Sequence, residues 1–234
     1  MNFISIKTGL AALTLMGVTS LTACSTTTQN QNQVSSPTPT TASVPSNKQN
    51  ASTHSDADRS HMNHNMSMDL GPADTDYDLR FIDAMMLHHQ GAVDMAKEVL
   101  NKSQRPEMKK LAEDIINAQN REINQMKQWR KTWYPQASST PMAHHPQMGH
   151  MMPMSQEMMQ SMMMSMDLGA ANAEFDKRFI NAMIPHHEGA LVMAQDALSK
   201  SKRAEIKKLS QDIVTSQQKE IDQMKQWRKT WYNE

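Results

Sequence analysis

Histidines and methionines recur together in this chain at spacings that suit metal ligands. The first set consists of Met85, His88, His89, Met95, Glu122 and Met126. The second set has the same spacing and consists of Met183, His186, His187, Met193, Glu220 and Met224. Residues three, four and seven positions apart share one face of a helix. Each set can therefore bring two imidazoles, two or three thioethers and one carboxylate together.

This donor combination favours copper over other metals. Thioethers prefer Cu(I) and its analogue Ag(I), whereas imidazole suits several transition metals. A zinc site would usually use cysteine or three histidines, and Cys24 is the single cysteine of the chain. A di-iron bundle would need paired Glu-x-x-His motifs, which neither set contains. The sequence therefore predicts copper as the bound ion.

Structural explanations of the same residues stay open. Each methionine taken alone could fill a gap in a core. The glutamate could neutralise a neighbouring histidine, because a buried carboxylate needs a partner. The histidine pair could also belong to a structural hydrogen-bond network.

Two further tracts carry the same residue types. Residues 142–166 contain 11 methionines and 3 histidines. The candidate ligands in this tract are His144, His145, Met148, His150, Met151 and Met154. An earlier tract contributes His61, Met62, His64 and Met66. We interpret both tracts as ligand reservoirs that capture ions, although residues 142–166 could instead form an amphipathic segment docked on a helical bundle.

The elements that must position these residues come from an internal duplication. SMDLG occurs at residues 67–71 and again at residues 165–169, an offset of 98, and the similarity continues to the segments ending in KTWY. Apolar residues at spacings of three and four predict two helices per copy, with a break at Ser103 and a new start at Pro106. We therefore predict an all-α fold, a ferritin-like up-down four-helix bundle made of two helical hairpins.

The start of the chain predicts export and anchoring. Lys7 precedes a short apolar run that is typical of a signal peptide. LTAC at residues 21–24 resembles a bacterial lipobox, so Cys24 is predicted to carry lipid, and Ser25 after it favours sorting to the outer membrane. The predicted location is therefore the periplasm, on a membrane-anchored lipoprotein.

These features divide the chain into five segments. Residues 1–23 are the signal peptide, and residues 24–66 are a disordered tether rich in Ser, Thr, Gln, Asn and Pro. Residues 67–135 form the first hairpin, residues 136–164 the Met/His-rich linker, and residues 165–234 the second hairpin. The balance of 24 basic and 24 acidic residues gives no support for nucleic-acid binding.

The second hairpin resembles a known family, the CopM-type periplasmic copper-binding helical domains. The family signature reads F-I-x-x-M-I-P-H-H-x-x-A-x-x-M-A, followed by Q-x-x-E-I-x-x-M-x-x-W. Residues 179–194 and 217–227 match this signature, and residues 81–96 match it with Leu87 in place of the proline. The resemblance implies two tandem copies of the family's unit, a ferritin-like fold, and binding of Cu(I), with Ag(I) and Cu(II) as alternatives.

The leading hypothesis is a lipid-anchored copper-binding protein that sequesters or delivers Cu(I) in metal tolerance and is not an enzyme. Its predicted partners are copper ions, the membrane and components of copper efflux. One alternative is a metal-dependent oxidoreductase that resembles a cuprous oxidase. Another is a structural lipoprotein whose methionines pack or absorb oxidants.

Overall fold

The computed structural model describes residues 68–234. The predicted signal peptide, the tether and the lipidation site Cys24 lie outside this part of the chain. The candidate ligands His61, Met62, His64 and Met66 also lie outside it.

Four long helices make up most of the described chain. Helix α1 spans Tyr77–Lys102 and α2 spans Pro106–Trp133, while α4 spans Phe175–Lys200 and α5 spans Ala204–Tyr232. Between the two hairpins lie strand β1 (Met142–His145), strand β2 (His150–Pro153) and the short helix α3 (Gln156–Met163). None of the helices in residues 68–234 combines the length and apolar character needed to cross a membrane.

The turn inside each hairpin is set by a serine and the residues after it. Ser103 has extended backbone geometry, and its Oγ accepts a hydrogen bond from the Arg105 amide at 3.1 Å. Pro106 then occupies the first turn of α2, where a missing N–H costs nothing. Ser201 accepts from the Arg203 amide at the same distance in the second hairpin. The predicted break and restart are therefore found where expected.

Two kinds of contact between the hairpins occur twice. In the second occurrence the two hairpins have exchanged roles. Lys102 Nζ donates to the Gly169 carbonyl at 2.9 Å, and Lys200 Nζ donates to the Gly71 carbonyl at 2.8 Å. The Arg105 guanidinium lies over the Trp231 ring at 4.3 Å, and that of Arg203 lies over the Trp133 ring at 4.1 Å. The end of each helix thus meets the start of its counterpart, which gives the bundle a pseudo-two-fold axis.

These contacts also fix the directions of the helices. Because α1 and α4 are antiparallel, the four long helices run up, down, down and up, and the linker must cross from one end of the bundle to the other. One long crossover is the feature that distinguishes ferritin-like bundles. The predicted all-α bundle is confirmed, with a β-hairpin in the linker as an addition.

The β-hairpin forms where the linker contains a turn sequence. His145 pairs with His150, and Met142 pairs with Pro153. Gly149 has a φ of 65°, a left-handed conformation that glycine adopts readily, and its amide donates to the His145 carbonyl at 2.9 Å. The linker is therefore neither one continuous helix nor wholly irregular.

The repeated SMDLG segments have a structural role at the start of each hairpin. Asp69 accepts a hydrogen bond from the Gly71 amide at 2.9 Å. The Arg80 guanidinium donates to the carbonyls of Leu70 and Pro72, both at 2.6 Å. In the second copy, Arg178 makes equivalent bonds to the carbonyls of Leu168 and Ala170.

Replacing Arg80 by methionine is expected to destabilise the bundle more than the same change at Arg178. Arg80 is only 1% exposed, so its removal leaves the buried Leu70 carbonyl without this donor and removes the ion pair with Asp74. We expect a loss of about 3 kcal/mol for Arg80→Met, measured by urea unfolding. Arg178 is less buried, and Arg178→Met is the matched control with a smaller expected loss. Equal losses in the two variants would contradict this account.

Candidate metal centre

Two histidines meet where α1 crosses α4. His88 and His186 lie at the middle of these helices, and their ring centroids are 3.9 Å apart with an interplanar angle of 52°. Both residues are buried, with 0% and 1% exposure. Within the described residues, neither ring nitrogen of His88 has a hydrogen-bond partner, and Nδ1 of His186 also has none. Buried imidazoles with free nitrogens are unusual, because unpaired polar groups are costly.

Burial keeps both rings in the neutral state. It lowers the pKa of His88 well below 6.5, and the neighbouring histidines His186, His89 and His187 lower it further. Burial lowers the pKa of His186 to about 3. A neutral imidazole is the form that binds metals. The pair can therefore offer lone pairs to a cation at neutral pH without first releasing a proton.

The second histidine of each pair contacts its own hairpin instead. His89 Nε2 lies 2.6 Å from Glu122 Oε2, and His187 Nε2 lies 2.6 Å from Glu220 Oε2. These glutamates come from α2 and α5 and are half-buried. The adjacent histidines diverge because consecutive residues are turned by roughly 100° around a helix. The prediction that both imidazoles of one hairpin converge on its carboxylate therefore needs correction, since only one of them contacts it.

The predicted methionine ligands are all in the core. Met85, Met95, Met126, Met183, Met193 and Met224 are at most 1% exposed. They form two clusters that mix the hairpins, since Met193 packs with Met85 and Met126, while Met95 packs with Met183 and Met224. The sequence grouped these residues by hairpin, and the antiparallel packing of α1 and α4 regroups them. Packing in a core and metal ligation both remain compatible with these positions.

The linker covers the histidine pair at two glycines. An added Cβ at Gly91 would lie 1.8 Å from the Met163 carbonyl oxygen, so the end of α3 rests directly on α1. The same carbonyl accepts a hydrogen bond from His186 Nε2 at 3.0 Å. An added Cβ at Gly189 would meet His88 Nε2 at 3.2 Å, Met164 Sδ at 3.4 Å and the Met68 methyl carbon at 3.4 Å. We refer to His88, His186, Met164 and the Met163 carbonyl as the axial site.

Sequence reasoning did not select Met68, Met163 or Met164. A signal was present, because Gly91 and Gly189 both lie three residues after the first histidine of their pair. A glycine retained inside a helix often marks a close approach of other groups. The two repeated glycines could therefore have pointed to a segment packed over the histidines.

The predicted ligands of the linker are dispersed. His145 and His150 face each other at the end of the β-hairpin, with the exposed Met148 between them. His144 precedes His145 on β1 and packs on Gly71. Met151 Sδ accepts from the Arg80 guanidinium at 3.3 Å, and Met154 is part of the core. In residues 68–234, no three side chains among His, Cys, Asp and Glu are grouped so as to hold a metal ion.

The fold and the buried histidine pair define a class of helical bundle with a methionine-rich core. The comparisons give the family. The chain belongs to the DUF305 family, described as a domain of unknown function, whose model matches residues 78–228. The match runs once across both hairpins, so two separate copies of the family's unit remain a prediction.

Solved structures give the same assignment. CopM in the Cu(I)-bound form is 39% identical, with a TM-score of 0.52, and the alignment covers 66% of this chain and 97% of CopM. CopM in the Cu(II)-bound form is 43% identical, with a TM-score of 0.53 and the same coverage. A DUF305 fragment from Deinococcus radiodurans is 29% identical, with a TM-score of 0.51, over 66% of this chain and 96% of the fragment.

A viral relative matches over a shorter stretch. The uncharacterized protein L153 of Acanthamoeba polyphaga mimivirus is 45% identical over 49 residues. These residues are 21% of this chain, and the alignment spans 32% of the viral protein's length.

Replacing Gly91 by alanine is expected to detach the end of α3. The new methyl group would clash with a backbone oxygen of Met163, which cannot rotate away. We expect faster amide hydrogen exchange across residues 156–164, measured by mass spectrometry. Gly189→Ala is the matched control, because the nearest atoms to its methyl group would be side-chain atoms at 3.2 Å or more and not a backbone oxygen at 1.8 Å. Unchanged exchange in Gly91→Ala would show that the linker does not rest on α1.

The free energy of unfolding of the metal-free protein is expected to fall as the pH drops below 6.5. Unfolded histidines take up protons there, whereas His186, with a folded pKa of about 3, does not. Each such histidine contributes a slope of about 1.4 kcal/mol per pH unit. His186→Gln keeps an N–H for the Met163 carbonyl and removes this contribution.

The measurement is urea unfolding with a chelator between pH 7 and pH 4. The His186→Gln variant should lose stability less steeply than the natural chain. His150→Gln, at an exposed site on the β-hairpin, should keep the full slope. The same slope in His186→Gln and in the natural chain would contradict the proposed burial of a neutral ring.

Proposed function

We propose that this protein is a lipid-anchored periplasmic copper-binding protein that sequesters or delivers Cu(I) in metal tolerance, with Ag(I) and Cu(II) as further ions. The observation that carries the proposal is the buried pair of His88 and His186, in which three of the four ring nitrogens have no hydrogen-bond partner in the described residues. The core around the helices is rich in methionine. Neutral imidazole and thioether donors together suit Cu(I) and Ag(I).

The similarity to CopM supports the choice of ion. CopM has been solved in Cu(I)-bound, Cu(II)-bound and Ag-bound forms, and this chain covers 97% of it in each. The residues at the centre of the present bundle are chemically consistent with the same ions. Copper is therefore the proposed cargo, and silver is its analogue.

The proposed location rests on the start of the sequence. The lipobox-like segment ending in Cys24 follows an apolar run of the length found in signal peptides. In an oxidising compartment free thiols do not persist, whereas a thioether still supplies a soft sulfur donor. A chain with 24 methionines and 1 cysteine fits that environment.

We propose binding rather than catalysis as the activity. Surface-exposed donors, such as Met148 and His150, would capture ions, and buried donors would hold them. Copper efflux components are the proposed recipients of the metal. The tracts and the bundle would then act in sequence, the first as an entry point and the second as a store.

The test is an anaerobic titration of the full chain with Cu(I) against a chromophoric Cu(I) chelator. We expect the protein to withdraw several equivalents at micromolar concentration, and Ag(I) to displace them. Zn(II) at the same concentration should not displace them, because it prefers harder or thiolate ligands. A chain that withdraws no Cu(I) would overturn the proposal.

A further inference from the structure

We propose that the axial site holds one soft monovalent ion through His88, His186 and Met164, that is, through one residue from each hairpin and one from the linker. This inference rests on the proposed function and assigns its tightest site. It differs from the two separate sites, one in each hairpin, that the sequence predicted.

Two of the three donor atoms converge at one place. His88 Nε2 and Met164 Sδ lie within 3.2 Å and 3.4 Å of a single point, the position of the absent Gly189 Cβ. The His186 ring lies tilted against the His88 ring, with the ring centroids 3.9 Å apart, and its Nδ1 is buried without a partner in the described chain. A glycine at position 189 keeps this space open, because any larger residue would place a carbon atom in it.

The backbone of Met164 is held in an uncommon conformation that aims its side chain at the site. Met164 has a φ of 46° and follows the last turn of α3, a position that usually carries glycine or asparagine. Such outliers persist when the surrounding structure holds them, and they often mark functional positions. Here the left-handed residue brings a thioether against the buried face of α1 and α4.

The charges around the site favour a monovalent ion. Glu122 and Glu220 are engaged by His89 and His187, so no carboxylate faces His88. Neutral donors in a fully buried site can offset one positive charge more readily than two, because the desolvation cost rises steeply with charge. Two imidazoles and one thioether are also the donors that Cu(I) and Ag(I) accept.

The site occurs once although the bundle is duplicated. Met68 and Met166 occupy the same position in the two SMDLG segments, yet Met68 is 4% exposed and Met166 is 58% exposed. The place that Met166 would fill, over Gly91, is taken by the Met163 carbonyl. The linker therefore breaks the symmetry, because it places a thioether sulfur at Gly189 and a backbone carbonyl at Gly91.

The test compares the Cu(I) complexes of the natural chain, Met164→Leu and Met158→Leu at one equivalent. X-ray absorption of the natural complex should show two nitrogen ligands and one sulfur ligand. Met164→Leu should lose the sulfur and bind the tightest equivalent at least tenfold more weakly in chelator competition. Met158→Leu changes a 40% exposed methionine of α3 and should match the natural chain.

A second variant does not depend on the linker. His88→Phe keeps an aromatic ring against His186 and removes both nitrogens, and it should also lose the tightest equivalent. Amide NMR spectra of the metal-free variants check that the bundle is retained. A natural complex with only sulfur or only nitrogen ligands would overturn the inference, and so would unchanged affinity in both variants. In either case, continued withdrawal of Cu(I) would leave the proposed function intact, whereas no withdrawal at all would remove both.

Discussion

The burial of two neutral imidazoles at one helix crossing is the constraint on which the rest of the structure depends. His88 and His186 can approach to 3.9 Å because desolvation keeps both uncharged. Their close packing needs an antiparallel crossing of α1 and α4 at their midpoints. That crossing in turn sets the up, down, down, up order of the helices, so the linker must pass along the bundle. The path of the linker then decides which of its methionines can reach the centre.

The linker makes close contacts with the bundle at two glycines, Gly91 and Gly189. Without side chains at positions 91 and 189, α1 and α4 leave space beside each histidine. The linker fills one space with a backbone carbonyl, while a thioether and a methyl group reach the other. A symmetric pair of hairpins therefore surrounds an asymmetric centre. The asymmetry comes from a single covering segment and not from differences between the hairpins themselves.

The internal repeat in the sequence made the positions of the helices predictable. The same repeat suggested one site per hairpin, whereas the structure mixes residues of both hairpins. Helical spacing of apolar residues, together with Ser103 and Pro106, located the hairpins closely. The sequence could not show that His88 and His89 contact different partners, because that depends on which neighbouring helix each side chain faces. It also placed Met193 with its own hairpin, whereas antiparallel packing places it with Met85 and Met126. The position of Met164 beside His88 depends on tertiary contacts that no local pattern encodes.

The paired arginine–tryptophan contacts at the ends of the bundle have a consequence for assembly. Arg105 on Trp231 and Arg203 on Trp133 are the same contact made twice, so either hairpin presents the surface that the other recognises. Two molecules could satisfy these contacts by exchanging hairpins, as in domain swapping. Covalent connection through the linker opposes this exchange, since it keeps the partner hairpin at a high effective concentration. The linker, which is the segment richest in methionine, thus also favours pairing of the two hairpins within one molecule.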